Sequence, residues 1–94
     1  MDIGILHVVC YDIASDRLRD RVAGKLEKLG VRVQKSVFEV RGPHARFMQQ
    51  IESIALQLEP GDSIRAYPLP ARAVAQTRTY GSAVPPEAFD FFLL

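Results

Sequence analysis

The sequence predicts an α+β sandwich in which two helices cover one face of a four-stranded antiparallel sheet. Three observations predict it. The chain opens on a short apolar run rich in Ile and Val, which reads as a strand. Two later segments repeat apolar residues at helical spacing. The stretches between and after them alternate or are broken by Pro and Gly, as strands and turns are. Ninety-four residues leave room for one domain, spanning 1–94 with a core over 3–80 and a C-terminal segment over 85–94.

The first strand runs from Ile3 to Tyr11. Its two faces, Ile5, His7, Val9 and Tyr11 against Leu6, Val8, Cys10 and Asp12, are both largely apolar. Ser15 is placed to cap a helix over Asp16–Leu29, with Asp16 suited to the positive end of its dipole. Leu18, Val22, Leu26 and Leu29 form that helix's buried stripe, and Gly30 stands as its C-terminal stop. Val31–Val40 reads as a second strand. Gly42-Pro43 opens a second helix with the stripe Phe47, Ile51, Ile54, Ala55 and Leu58. Glu59-Pro60-Gly61-Asp62 is a turn, Ser63–Leu69 a third strand and Val74–Tyr80 a fourth. The order so read is β-α-β-α-β-β plus an apolar tail, and it is β-α-β-β-α-β only if one strand is split. The layering, two helices on one face of a four-stranded sheet, is that of a ferredoxin-like sandwich.

Two helices cover only one side of a sheet, yet the first strand is apolar on both. Ile5, Val9 and Tyr11 are therefore expected to meet a second copy of the same sheet, in a two-fold homodimer. The apolar tail Phe89-Asp90-Phe91-Phe92-Leu93-Leu94 is expected to add to a partner's sheet edge, exchanging a C-terminal strand.

Composition excludes several classes. Hydrophobic residues at 48% and charged residues at 24% are globular proportions. No apolar run approaches the ~18 residues of a membrane span, and Asp2 with no basic cluster argues against a signal peptide. Cys10, the one cysteine, forms no internal disulfide, which agrees with a reducing, cytoplasmic setting. The net charge of +1 conceals an asymmetry: residues 13–46 hold nine basic side chains against four acidic ones. Such a local field suits a polyanion, and equally a solvated helix face. No P-loop, nucleophile elbow, dinucleotide fingerprint or zinc-ligand spacing is present.

Three stretches are more specific. They are Val8-Val9-Cys10-Tyr11-Asp12-Ile13 with Asp16-Arg17-Leu18-Arg19-Asp20-Arg21-Val22-Ala23, then Gly30-Val31-Arg32-Val33-Gln34-Lys35-Ser36-Val37-Phe38-Glu39, and Gly61-Asp62-Ser63-Ile64-Arg65-Ala66-Tyr67-Pro68-Leu69. Together they resemble the second core family of CRISPR adaptation, the small partner of the adaptation integrase. The resemblance spans residues 3 to 69, and residues 70–84 depart from it. It implies a ferredoxin-like homodimer with exchanged C-terminal strands that joins the integrase and captures duplex DNA for insertion as new spacers, an antiviral defence. It also implies Mg2+, one ion per dimer, for members that act as nucleases on DNA or RNA. The alternative is a free-standing metal-dependent endoribonuclease or a toxin-like ribonuclease of the same fold. The family's metal-binding, catalytic carboxylate falls on Asp12, and its other functional positions fall on Tyr11, Arg19, Arg21, Arg32 and Phe38.

The residues themselves leave choices open. Asp12 suits a Mg2+ ligand, with two copies meeting at a two-fold, or a turn residue paired to an arginine. Arg17, Arg21, Lys25 and Lys28 share one sector of the first helix, as phosphate contacts or a solvated face, and Arg32 joins them as a nucleic-acid contact. Arg19 falls on the apolar side, which points to pairing with Asp12 or Glu39, or to a phosphate. Tyr11 and Phe38 suit the dimer face or base stacking. His7 reads as an interface histidine with satisfied hydrogen bonds, and Cys10 as core.

Overall fold

The computed structural model describes residues 5–81. Its elements are β1 (Ile5–Asp12), α1 (Asp16–Glu27), β2 (Gly30–Gln34), β3 (Val37–Gly42), α2 (His44–Ala55), β4 (Ser63–Leu69) and α3 (Ala71–Gln76). The sheet order is β2-β3-β1-β4, with every neighbouring pair antiparallel. This is the ferredoxin-like α+β sandwich.

The expected second strand is in fact the hairpin β2–β3, folded at Lys35-Ser36. The expected fourth strand over Val74–Tyr80 is not one: Ala71–Gln76 is helical and β4 completes the sheet. Ala-Arg-Ala-Val-Ala-Gln carries strong helix formers, and Pro70 precedes them at the N-cap, where its missing N–H costs nothing. The C-terminal segment 85–94 lies outside the described residues.

α1 starts at Ser15, whose Oγ accepts from the Leu18 N–H at 3.2 Å. Its stripe Leu18, Val22 and Leu26 is buried, as are Phe47, Ile51 and Ile54 of α2. Both stripes meet Val9, Tyr11, Phe38 and Val40 in one core. Gly30 is not a left-handed helix stop: it is the first residue of β2. A Cβ there would collide with the Glu39 carbonyl oxygen and come 2.9 Å from Val40 Cα, so the close approach of β2 to β3 requires glycine. The turn before β4 does use the left-handed region, at Gly61 (φ +94°). Asp62 closes it, accepting from the Glu59 N–H at 2.9 Å and the Ala14 N–H at 3.1 Å.

The two faces of β1 are assigned opposite to expectation. Val9 and Tyr11 lie under α1 and α2, so no second copy is needed to bury them. The face that α1 and α2 do not cover carries Val8, Cys10 and Asp12, with Val37, Glu39 and Arg41 of β3 and Ser63, Arg65 and Tyr67 of β4 beside them in register. α3 shields only the far end of this face, where Val74 packs on Leu6 and Leu69. Among the described residues, no helix is long and apolar enough to cross a membrane.

Candidate functional site

Asp12 is the last residue of β1, opposite Ser63, and is exposed. Its carboxylate has no hydrogen bond or ion pair among the described residues. The arginine expected to hold it is occupied elsewhere. Arg19 pairs with Asp16, one turn back on α1, and its Nη1 donates to the Ile13 carbonyl at 2.9 Å. Neither Asp12 nor Glu39 is its partner.

No group of three or more His, Cys, Asp or Glu side chains is placed to hold a metal ion among the described residues. Mg2+ binds through one or two carboxylates and keeps several waters, so the exposed Asp12 carboxylate fits such an ion in kind.

The second acid on this face differs. Glu39 sits mid-sheet opposite Val8 and Val31. Its Oε1 is buried with no hydrogen-bond partner among the described residues, and burial pushes its carboxyl above the usual glutamate range. Arg65, across from Cys10, donates from Nη1 to the Tyr67 hydroxyl at 3.4 Å.

The cations divide by what they already hold. Arg17, Arg21, Lys25 and Lys28 are all exposed on α1. Arg21 Nη1 donates to Gln57 Oε1 at 3.1 Å, while the side chains of the other three make no bond among the described residues. Arg32 is engaged inside the fold. Its Nε and Nη2 donate to the Lys35 carbonyl at 3.1 and 2.5 Å, its Nη1 meets Glu27 at 3.1 Å, and its guanidinium lies 5.4 Å from the Phe38 ring centroid. Phe38 is fully buried and Tyr11 nearly so, both in the protomer's own core and not on its open face. Their ring centroids are 6.3 Å apart.

His7 is buried under α2 and not at an interface. Its Nδ1 donates to the Val40 carbonyl at 3.1 Å, which leaves Nε2 to accept from His44 Nδ1, also at 3.1 Å. Its ring stacks on Phe47 with centroids 3.8 Å apart. Burial, and then the neighbouring His44, hold its pKa below the usual histidine value despite the Val40 bond. Sequence reasoning missed His44, Lys35 and the buried oxygen of half-buried Glu39. Alternation would have put Glu39 on the open face once the hairpin was recognised, whereas nothing local signals the His7–His44 contact.

Fold and site together define a small α+β sandwich with one lone acid at a strand end and free cations on its first helix. The family model for CRISPR-associated protein Cas2 matches residues 5–77. The chain belongs to the Cas2 family. A CRISPR-associated endoribonuclease Cas2 of Synechocystis sp. is 37% identical over 95 residues, covering 93% of this chain and 96% of the relative. One from Chloroflexus aurantiacus is 35% identical, covering 88% and 91%. Among solved structures, Streptococcus pyogenes Cas2 superposes with a TM-score of 0.68 at 28% identity, covering 82% of this chain and all of that one. A chain of a partial Cas6-RT-Cas1–Cas2 complex superposes at 0.62 and 28%, covering 80% and 89%.

Proposed function

We propose that this Cas2-family protein is a component of CRISPR spacer acquisition, a homodimer that holds duplex DNA through basic surfaces and bridges subunits of the adaptation integrase. The observation that carries the reading is the sheet face opposite α1 and α2, which carries apolar Val8, Val37 and Tyr67 and, at its end, Asp12 with no partner among the described residues. A second copy covering this face would bury its apolar residues and bring two Asp12 carboxylates toward one axis. Arg17, Lys25 and Lys28, free of partners among the described residues, are the phosphate contacts. The relative seen within a Cas1–Cas2 assembly supports the integrase partner.

A second reading has support in the names of the relatives, which are endoribonucleases. Here the paired Asp12 side chains would hold one Mg2+ per dimer, and RNA or DNA would be cleaved. When bound, the ion supplies Lewis acidity toward a phosphodiester oxygen. The protein's own part is to present the carboxylates and to hold the strand by its cations.

Reconstitution with the integrase and a short duplex, using wild type and Asp12→Asn, tests both. Because Asp12 is exposed and bonds nothing, the variant is expected to fold and dimerise as wild type does. We expect spacer insertion near the wild-type level and loss of any Mg2+-dependent cleavage. Loss of insertion by a folded, dimeric, DNA-binding Asp12→Asn protein would reverse the ranking of scaffold over enzyme.

A further inference from the structure

Building on the nucleic-acid reading above, we propose that Lys35 contacts a phosphate of the bound nucleic acid at the Asp12 end of the sheet, and that Arg32 and Tyr11 are the positioning residues that hold it there. The turn joining β2 and β3, Gln34-Lys35-Ser36-Val37, has Ser36 as its one turn-favouring residue and no Gly, Pro, Asn or Asp. Side chains from elsewhere hold it. The Lys35 carbonyl oxygen accepts from Arg32 Nε at 3.1 Å, from Arg32 Nη2 at 2.5 Å and from the Tyr11 hydroxyl at 3.4 Å. The Tyr11 backbone N–H donates to the Ser36 carbonyl at 3.2 Å.

Those bonds fix where the turn lies. Cys10 pairs with Val37, and the Tyr11–Ser36 bond continues that register by one residue. The turn is therefore carried alongside the end of β1 from which Asp12 emerges. Lys35 is exposed, and its ammonium has no hydrogen bond or ion pair among the described residues. Arg32 is the opposite case: its fork is spent on the Lys35 carbonyl and Glu27, so it is not open for bidentate recognition of a phosphate. Backbone held from two strands leaves only the lysine side chain to be ordered on binding, which lowers the entropic cost of the contact. The cation of this turn with no partner among the described residues is thus Lys35, presented by two residues that never touch the ligand.

The test is the salt dependence of affinity for a short DNA duplex, measured on the full chain with the melting temperature recorded for each variant. Lys35→Gln is expected to flatten the slope of log affinity against log salt by about 0.9, the value of one phosphate contact, and Lys35→Arg to restore it. Arg32→Lys keeps the charge at position 32 but loses the fork. It is expected to flatten the slope as Lys35→Gln does, and the double variant to lose no more than either single. Tyr11→Phe, removing one of three bonds to the carbonyl, is expected to weaken binding less than Arg32→Lys.

Three results would overturn the inference. One is an unchanged slope for Lys35→Gln in a protein that binds duplex. Another is an Arg32→Lys protein with lowered melting temperature but wild-type slope, since that would confine Arg32 to a structural role. The third is losses that add in the double variant, which would make Arg32 a phosphate contact in its own right. Wild type that binds no duplex would overturn the proposed function and this inference with it.

Discussion

The buried His7–His44 pair supports a prediction whose sign and size follow from its hydrogen bonds. The Val40 carbonyl only accepts, so His7 Nδ1 carries the proton, Nε2 is bare, and His44 Nδ1–H must fill it. His44→Ala removes that donor and leaves a buried acceptor unsatisfied, at a cost of about 1–3 kcal/mol. In a domain of this size each kcal/mol is worth roughly 4–8 °C of melting temperature. His44 is itself exposed, so the truncation loses little packing and the effect reports the bond. His7→Leu with His44→Ala removes both partners and is expected to recover part of the loss. The pH dependence has a definite direction. The folded protein holds His7 below its ordinary value of 6.5, so the unfolded chain takes up the proton first. Stability is therefore complete above about pH 6.5 and falls as pH drops below it toward the folded value. Chemical denaturation of wild type and His7→Leu between about pH 5.5 and 7.5 checks this, with the loss toward acid pH expected in wild type and not in His7→Leu. A His44→Ala protein as stable as wild type at neutral pH, or a His7→Leu protein that keeps the acid loss, would refute the reasoning.

Two further predictions concern single residues. Gly30→Ala drives a methyl group into the Glu39 carbonyl, a backbone atom that cannot turn aside, and is expected to destabilise by at least ~1–3 kcal/mol; Gly24→Ala, inside α1 with nothing near the added Cβ, is expected to stabilise by ~0.5–1 kcal/mol, and thermal melting of the two separates them. Glu39 is held above its ordinary value of 4.5 by burial, so its contribution is complete below that pH and is lost as pH rises toward the folded value. Glu39→Gln should accordingly gain stability over wild type at pH 7 and not below pH ~4, read by denaturation at both.

The helices were legible because each carries its own evidence. Leu18, Val22 and Leu26, like Phe47, Ile51 and Ile54, announce a buried stripe by spacing alone, and the structure buries all six. The hairpin was not legible because its turn is specified by Tyr11 and Arg32, whose bonds to Lys35 are invisible to local pattern. Missing it also hid the face of β1 that meets the core, since a strand apolar on both sides gives no preference. Arg19 is expected to pair with Asp12 or Glu39, yet its partner lies on its own helix: Asp16 stands three residues before it, a spacing at which helical side chains meet. The resemblance implies a metal-binding role for Asp12 and functional positions at Arg32 and Phe38, and the geometry separates the exposed acid from these two, which bond or pack within the fold.

The open face holds two acids that burial has put to different uses. One oxygen of Glu39 is buried and finds no donor among the described residues, so ionising it is opposed. A hydrated Mg2+ needs a carboxylate it can reach without shedding all its waters, and a buried oxygen mid-sheet does not offer that. Asp12, two register positions beyond Cys10 at the strand end, has neither restriction: it is exposed, and Arg19 leaves it alone. The division also bears on what a second copy could do. A partner covering this face would bury Glu39 further, favouring a neutral carboxyl or a donor from across the axis, while Asp12 at the margin would stay wet. If a cation joins two protomers here, the physical chemistry of this one already selects which acid it meets.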